Sequence, residues 1–208
     1  MKKIWILTLG MFALGMDAYI VAGLIPSISK SFNKSSSAIG QGVTVFTLFF
    51  SISAPIFSTI LAKSPVKKIL IIAISVFTLA NIITAISMNY MLYIVSRAIA
   101  GLGAGVFSPI AISASNHLVS EKHKGKAIAF TVGGMSVGTV IGVPLGLEIA
   151  NISNWRFAML VIIGISFIAL ISISILMPKF KIETPPNLKD RFQLFLNKHV
   201  LRVISVTL

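Results

Sequence analysis

Six long apolar stretches dominate this sequence and restrict its fold more than any other feature. Each contains roughly the 20 residues that a helix needs to cross the hydrocarbon core of a bilayer. Only 11% of the residues are charged, against about 25% in an average soluble domain. We therefore predict an all-α membrane protein, a bundle of six transmembrane helices. The predicted spans are residues 4–28, 39–62, 69–88, 91–116, 127–150 and 157–177.

The sequence changes character after the sixth stretch. Residues 178–199 are polar and contain Pro185-Pro186, which predicts a cytoplasmic linker after a six-helix domain of residues 1–177. Residues 200–208, VLRVISVTL, are apolar again but too few to cross a membrane. They predict the start of a truncated seventh helix.

The N-terminal sequence MKKIWILTLGMFALG has the basic start and apolar run of a secretory signal peptide. The apolar run continues past Asp17 to Ile28, however, without a clear small-x-small cleavage site. This pattern favours an uncleaved first helix.

Lysine and arginine lie mainly in the loops on one side of the predicted bundle. With a cytoplasmic N-terminus, 14 of the 18 basic residues lie inside and three outside, as the positive-inside rule favours. Short loops and a Lys- and Ile-rich composition indicate the plasma membrane of a bacterium. The net charge of +13 does not indicate nucleic acid, because the basic residues are dispersed between apolar blocks. The inside set is Lys2, Lys3, Lys63, Lys67, Lys68, Lys122, Lys124, Lys126, Lys179, Lys181, Lys189, Arg191, Lys198 and Arg202, and the outside set is Lys30, Lys34 and Arg156.

The catalytic sets that an intramembrane enzyme would need are missing from the spans. There is no cysteine, so neither a disulfide nor a thiolate metal site can form. No paired aspartates, His-Glu-x-x-His or Gly-x-Ser-x-Gly motif occurs in a span, and His117, His123 and His199 lie in a loop and the tail. We predict a protein that is not an enzyme and has no cofactor or metal.

A glycine stripe marks the fifth span. In GGMSVGTVIGVPLG, glycines 134, 138, 142 and 146 recur every four residues, and Pro144 follows the third. Small residues at this spacing let two helices approach closely in lipid, and proline removes a backbone hydrogen bond and bends a helix near that point. Two interpretations remain open: a static packing seam, or a flat, bendable surface against which a second bundle rocks.

Two charges lie inside the spans, Asp17 in the first and Arg97 in the fourth. A charge at the centre of a membrane helix costs about 2.5–3.5 kcal/mol on insertion scales, so a partner and a function are expected. From the span ends, Asp17 lies about 16 Å and Arg97 about 9 Å from the same side of the membrane, so an arginine side chain can join them. The pair is either a structural ion pair or a carboxylate that loads and unloads a proton. Each residue is on the first helix of a group of three, as inverted 3+3 repeats would place them.

Four motifs carry a resemblance to the major facilitator superfamily. SRAIAGLGAGVFSP (96–109) resembles its Arg-x-x-x-Gly-x-Gly-x-Gly signature in helix four, and the glycine stripe resembles its antiporter motif in helix five. LGMDAYIVAGLIPSIS (14–29) and NWRFAML (154–160) are similar to helix one and the entry to helix six in the twelve-helix drug and sugar efflux branch. The resemblance implies the N-terminal half of a major facilitator fold. The matching positions of the helix four and five motifs are Arg97, Gly101, Gly103, Gly105, Gly142, Pro144 and Gly146.

One loop departs from the family pattern. Where the superfamily has Gly-x-Leu-Ala-Asp-Arg-x-Gly-Arg-Lys, this chain has TILAKSPVKK (59–68). Lys63 replaces the aspartate that helps to latch the two halves, so that latch cannot form in its usual way. The basic pair Lys67-Lys68 is retained, although positive-inside topology also explains it.

The resemblance also implies a mechanism, in which two six-helix bundles rock about a central site and an inward proton drives a small solute outward. Asp17 would carry the proton and Arg97 would be its partner. The glycine stripe would face the second bundle and limit leak, while Gly101, Gly103 and Gly105 would let helix four pack closely. The solute is expected to be a drug, a sugar or a nucleoside-like molecule. Polar residues that could line its cavity are Thr44, Thr47, Asn81, Ser108, Ser113 and Asn116.

A complete transporter of this family needs a second bundle, which this chain lacks. The second bundle would come from the same polypeptide or from a partner half. The alternative is a truncated, non-transporting six-helix scaffold, which would tolerate Asp17→Asn and Arg97→Lys.

Overall fold

The computed structural model describes residues 4–60 and 64–180, and every regular element in these ranges is helical. Six helical segments are long and apolar enough to cross a membrane, which confirms the all-α, six-span prediction. The fifth segment is divided by a π-helical turn over Gly138–Gly142. The helices are α1 Trp5–Phe32, α2 Ser36–Ile60, α3 Val66–Ile86, α4 Tyr90–His117, α5 Lys124–Val137, α6 Val143–Ile152 and α7 Trp155–Leu176, with a short 3₁₀ turn over Glu121–His123.

Several predictions fall on residues outside the described ranges. The predicted linker beyond residue 180 and the start of a seventh helix at 200–208 are among them. So is Lys63, the departing position of the cytoplasmic loop motif.

The helix ends follow local sequence signals. The side chain of Asn89 caps α4 by accepting from the Leu92 amide at 2.8 Å, and Asn154 caps α7 by accepting from the Arg156 amide at 3.1 Å. α1 ends at Asn33, which has a left-handed φ of 50°, a conformation that asparagine tolerates better than most residues. α1 thus runs four residues beyond the predicted end at Ile28, because a polar last turn outside the hydrocarbon layer can remain helical.

Side chains near the loops 33–35, 87–89 and 153–154 tie one end of the bundle together. We call this end the Trp155 end, and the opposite end, with loop 118–123, the Lys122 end. Trp155 is buried, and its Nε1 donates to Ser31 Oγ at 2.9 Å. Arg156 Nη2 donates to the Ser87 carbonyl at 2.7 Å. These bonds join α7 to α1 and to the α3–α4 loop.

Glycines allow α4 to lie against two neighbours at once. A Cβ at Gly101 would meet the backbone carbonyl of Phe46 on α2, and one at Gly103 would meet the backbone of Phe77 on α3. Gly105 likewise faces the Phe50 carbonyl on α2. α4 therefore lies between α2 and α3 at distances that only glycine permits at these positions.

The glycine stripe packs against α1 of the same bundle. A Cβ at Gly134 or Gly138 would meet the carbonyl oxygen of Thr8 or Phe12, and one at Gly142 or Gly146 would meet side chains of α1. The expectation that this stripe faces a second bundle is wrong in this structure. The structure supports the static packing seam instead, because backbone carbonyls and side chains of α1 contact the stripe along its whole length.

The backbone irregularity expected from Pro144 is a π-helical turn. Proline has no N–H to donate to the carbonyl one turn earlier, and the π turn over Gly138–Gly142 lies immediately before it. Thr139 on this turn donates to the Gly15 carbonyl of α1 at 3.3 Å. Single π turns in α-helices occur frequently at functional sites, and this one lies on the seam with α1.

Three segments of the bundle remain largely uncovered. They are α2, the segment made of α5, the π turn and α6, and α7, and each has a much lower buried share than α1, α3 and α4. The π turn and α6 carry large exposed apolar side chains such as Val140, Ile141 and Leu145, together with exposed Glu148. These surfaces are available to lipid or to a further protein surface.

Candidate functional site

An ion pair between α1 and α4 lies inside the bundle. Arg97 Nη1 donates to Asp17 Oδ1 at 2.8 Å and to Oδ2 at 3.1 Å. Both side chains are fully buried, with 0% exposure. The structure thus brings together the two charges that the sequence singled out, although they are 80 residues apart in the chain.

The other two helices of the bundle centre also contribute to this site. The ring of Phe46 on α2 lies over the guanidinium, with Arg97 Cζ 4.5 Å from the ring centroid. An arginine over an aromatic face gains about 0.5–2 kcal/mol, depending on desolvation. The side chain of Asn81 on α3 interacts with the Asp17 carboxylate, and its Nδ2 donates to the Phe77 carbonyl at 3.1 Å. Asp17 and Arg97 are therefore enclosed by residues of α1 to α4.

Hydrogen bonding around the pair is incomplete. Arg97 Nε and Nη2 are buried and make no hydrogen bond to a described residue, and the same holds for Asn81 Oδ1. An unsatisfied buried polar group costs about 1–3 kcal/mol, so native proteins leave few of them. Three such atoms therefore distinguish the surroundings of this ion pair from an ordinary buried contact.

A polar cluster holds α4 next to the ion pair. Thr84 Oγ1 on α3 and Ser96 Oγ on α4 are 2.8 Å apart. Tyr93 is fully buried, and its hydroxyl donates to the Ile39 carbonyl of α2 at 3.1 Å. Because Ser96 and Tyr93 lie one and four residues before Arg97 on α4, these bonds limit rotation and sliding of the arginine relative to α2 and α3.

The six polar residues predicted to line a cavity do not lie together. Thr44 and Thr47 are exposed on α2, whereas Asn81 is fully buried beside the ion pair and Ser108 is nearly buried. Ser113 and Asn116 are half-buried toward the Lys122 end of α4. Only the two threonines of α2 are on an open face.

Sequence reasoning missed two parts of the site. Gln41 and Ser51 extend Thr44 and Thr47 into an exposed polar face of α2, and their spacing of three to four residues could have revealed it. Tyr90 donates to Gln41 Oε1 at 2.8 Å. Phe46 carried no comparable signal, because an aromatic residue in an apolar span looks like any other core residue.

The remaining candidates lie away from the ion pair. Lys67 is half-buried and Lys68 is exposed at the start of α3. The His117 ring stacks on Phe180, with 6.0 Å between the ring centroids. Within the described residues, no group of three or more His, Asp or Glu side chains is arranged to hold a metal ion.

Comparisons with known proteins agree with this architecture. A family model described as the Major Facilitator Superfamily matches residues 7–207. YbcL of Bacillus subtilis (strain 168), an uncharacterized MFS-type transporter, is 30% identical over 205 residues, which are 99% of this chain and 53% of that protein. MdtD of Salmonella paratyphi B, a putative multidrug resistance protein, is 25% identical over 182 residues, which are 88% of this chain and 39% of that protein.

A solved structure gives the same fold. The xylose transporter XylE from E. coli, in a partially occluded inward-open conformation, aligns with a TM-score of 0.75 at 18% identity, over 98% of this chain and 55% of that one. At this identity the likeness shows the fold alone. The chain spans about half the length of the curated relatives it matches.

Proposed function

Because this chain belongs to the major facilitator superfamily, we propose that it is the N-terminal bundle of a secondary transporter. In this proposal, the transporter exports a small molecule across a bacterial plasma membrane by proton antiport, with alternating access. The observation that carries the proposal is the buried Asp17–Arg97 ion pair, whose arginine keeps two N–H groups without a described partner.

The proton step follows from the charges of the pair. Ionised Asp17 neutralises Arg97 inside the bundle, and the carboxylate accepts two hydrogen bonds from Nη1. A proton on Asp17 removes that compensation and leaves a buried cation, and breaking a buried pair in this way costs about 3–5 kcal/mol. Once Asp17 is protonated, a conformation in which water or substrate reaches Arg97 is therefore lower in free energy than the closed conformation. Release of the proton favours the closed pair again.

The substrate contacts are assigned to the exposed polar face of α2. Gln41, Thr44, Thr47 and Ser51 lie on the exposed face of a membrane helix. Thr47 and Ser51 donate to backbone carbonyls of α2, and Gln41 Oε1 accepts from Tyr90. A cavity shared with a second bundle would offer partners to the remaining donors and acceptors of these side chains, which lipid does not. The proposed solute is a drug, sugar or nucleoside-like molecule, and the name of one relative, a putative multidrug resistance protein, supports the first of these.

A second bundle would complete the transporter, from the same polypeptide or from a partner half. The uncovered faces of α2 and of α5–α6 are the surfaces on which it would pack, and the relatives' greater length supports its presence. The glycine stripe is not part of that contact, because it is occupied by α1.

Proton antiport predicts that substrate entry into liposomes consumes a pH gradient. The whole gene product that contains this chain would be reconstituted in liposomes with an acidic lumen and a fluorescent pH indicator inside. We expect a cationic drug, a neutral sugar or a nucleoside, added outside, to raise the lumenal pH faster than in protein-free liposomes, because each entering molecule is exchanged for a proton. Substrate entry at the same rate with and without the gradient would contradict proton coupling.

The proposed orientation predicts which loops are accessible from outside the cell. The chain has no cysteine, so single cysteines can be placed at exposed Ser153 and at exposed Ser120. In intact cells, a membrane-impermeant maleimide is expected to label S153C at the Trp155 end and to label S120C only after permeabilisation. The reverse labelling pattern would place the N-terminus outside the cell.

A further inference from the structure

A groove of about 400 Å³ lies between α1 and α5, in the half of the bundle toward the Lys122 end. We call it the α1–α5 groove. Its lining residues recur every three to four positions on each helix, so each helix gives the groove one face. Among them are Trp5, Thr8 and Phe12 of α1, and Phe130, Gly133 and Val137 of α5.

The walls of the α1–α5 groove suit an apolar occupant. They carry the aromatic rings of Trp5, Phe12 and Phe130. The Thr8 hydroxyl is already bonded, because it lies 3.2 Å from the Ile4 carbonyl oxygen and 3.3 Å from that of Phe130. A polar solute would therefore find few hydrogen-bond partners on these walls, whereas a hydrocarbon chain would lose none.

Positive charge lies at the surface end of the groove. Lys126 is exposed and lies one turn before Phe130 on the same face of α5. Side chains on a helix lean toward its N-terminus, so the Lys126 ammonium extends toward the membrane surface while its methylene stem can follow the apolar wall. Lys122, in the preceding 3₁₀ turn, is exposed as well, and the neighbouring acid Glu121 pairs with Lys124.

The charge and the apolar walls together select an anionic amphiphile. Basic pockets between membrane helices bind the headgroups of anionic lipids. A cationic molecule would be repelled by Lys122 and Lys126. Trp5 is 45% exposed at the start of α1, and tryptophan in membrane proteins is enriched at the level of the lipid headgroups. The groove therefore begins at the depth where a phospholipid has its phosphate and continues where it has its acyl chains.

We propose that the α1–α5 groove binds an anionic phospholipid, with one acyl chain between Phe12 and Phe130 and the phosphate near Lys126 and Lys122. Both helices begin at this end of the bundle, and helix N-termini favour a nearby anion. The inference does not rest on proton antiport, because it requires only that the bundle lies in a membrane. A lipid in the groove contacts both helices of the glycine-stripe seam.

Native mass spectrometry tests the charge of the occupant. The whole gene product that contains this chain would be purified in detergent and titrated with phosphatidylglycerol or with phosphatidylcholine of the same acyl chains. We expect tighter retention of phosphatidylglycerol, and a loss of about fivefold in its affinity in Lys126→Gln, the effect of one lysine near an anionic lipid. The matched control is Lys68→Gln, which removes an exposed cation at the same end of the bundle but on α3, and it is expected to leave the affinity unchanged.

Filling the groove tests the position of the acyl chain. A Cβ at Gly133 would meet nothing within 4 Å, so Gly133→Leu can extend into the groove without displacing the backbone. We expect this variant to lose the preference for phosphatidylglycerol while it remains folded by circular dichroism. Gly164→Leu is the matched control, because Gly164 is exposed on α7 and a Cβ there also meets nothing within 4 Å.

The outcomes decide the proposal separately from the proposed function. Equal retention of the two lipids by the wild type overturns it, as it would if a second bundle covers the groove in the whole protein. A preference for phosphatidylglycerol that survives Gly133→Leu or Lys126→Gln places the lipid elsewhere and also overturns it. A protein that shows the expected lipid binding but no proton-coupled transport would retain this inference and lose the proposed function.

Discussion

Asp17→Asn is expected to reduce proton-coupled transport to the level of protein-free liposomes. The amide cannot release a proton and cannot neutralise Arg97, which is fully buried. Leaving this cation uncompensated is also expected to destabilise the bundle by about 3–5 kcal/mol. Both effects follow from one substitution, so the single variant does not separate a transport role from a structural role.

The double variant Asp17→Asn/Arg97→Gln separates the transport role of the ion pair from its structural role. It replaces the ion pair with two neutral amides of similar size, and such replacements of a buried pair are often close to neutral for stability. We expect its thermal unfolding temperature in detergent to return toward that of the wild type, while proton-coupled flux stays absent. A double variant that is stable and still couples transport to the pH gradient would show that the pair only fixes helix packing.

Gly134→Ala is expected to have the second large effect, on stability. A Cβ at this position would meet the carbonyl oxygen and carbonyl carbon of Thr8, as well as its side chain. Because two of these atoms belong to the α1 backbone, α1 and α5 must move apart, and such overpacking costs about 1–3 kcal/mol. Moving α1 and α5 apart also loosens the neighbouring contacts between α1 and the glycine stripe. The thermal unfolding temperature is therefore expected to fall by several degrees.

Gly133→Ala is the matched control for this prediction. Gly133 is the preceding residue of the same helix, and a Cβ there would meet nothing within 4 Å. In a soluble helix, alanine is favoured over glycine by roughly 1 kcal/mol, so Gly133→Ala is expected to be neutral or slightly stabilising. Equal unfolding temperatures for the two variants would mean that the stripe does not set the distance between α1 and α5.

The seam also restricts where motion can occur. Close backbone contact joins α1 to α5 and the π turn, and α4 to α2 and α3. A bundle held in this way would move as one body against its surroundings, and its least buried segments are α2, α5–α6 and α7. A rocking mechanism is thus compatible with a stripe that faces inward.

Some features of the fold and of the site were predictable because the hydrocarbon core of a bilayer permits few alternative structures. The backbone must satisfy its own hydrogen bonds in lipid, so six apolar stretches of sufficient length could only become six helices. A charge in a span needs a partner, and Asp17 and Arg97 were the two charges at compatible depths. The glycines at four-residue spacing had to mark a close helix contact, and Gly134, Gly138, Gly142 and Gly146 do lie against α1.

Only the tertiary structure decided which surfaces those residues meet. The stripe could have faced α1 or a second bundle, and its spacing is the same in both cases. The positions of Phe46 over Arg97 and of Asn81 beside Asp17 depend on the rotation and axial offset of four helices. Rotation and offset arise from side-chain packing between helices that are distant in the sequence, and hydropathy and spacing, which describe one helix at a time, carry no information about them.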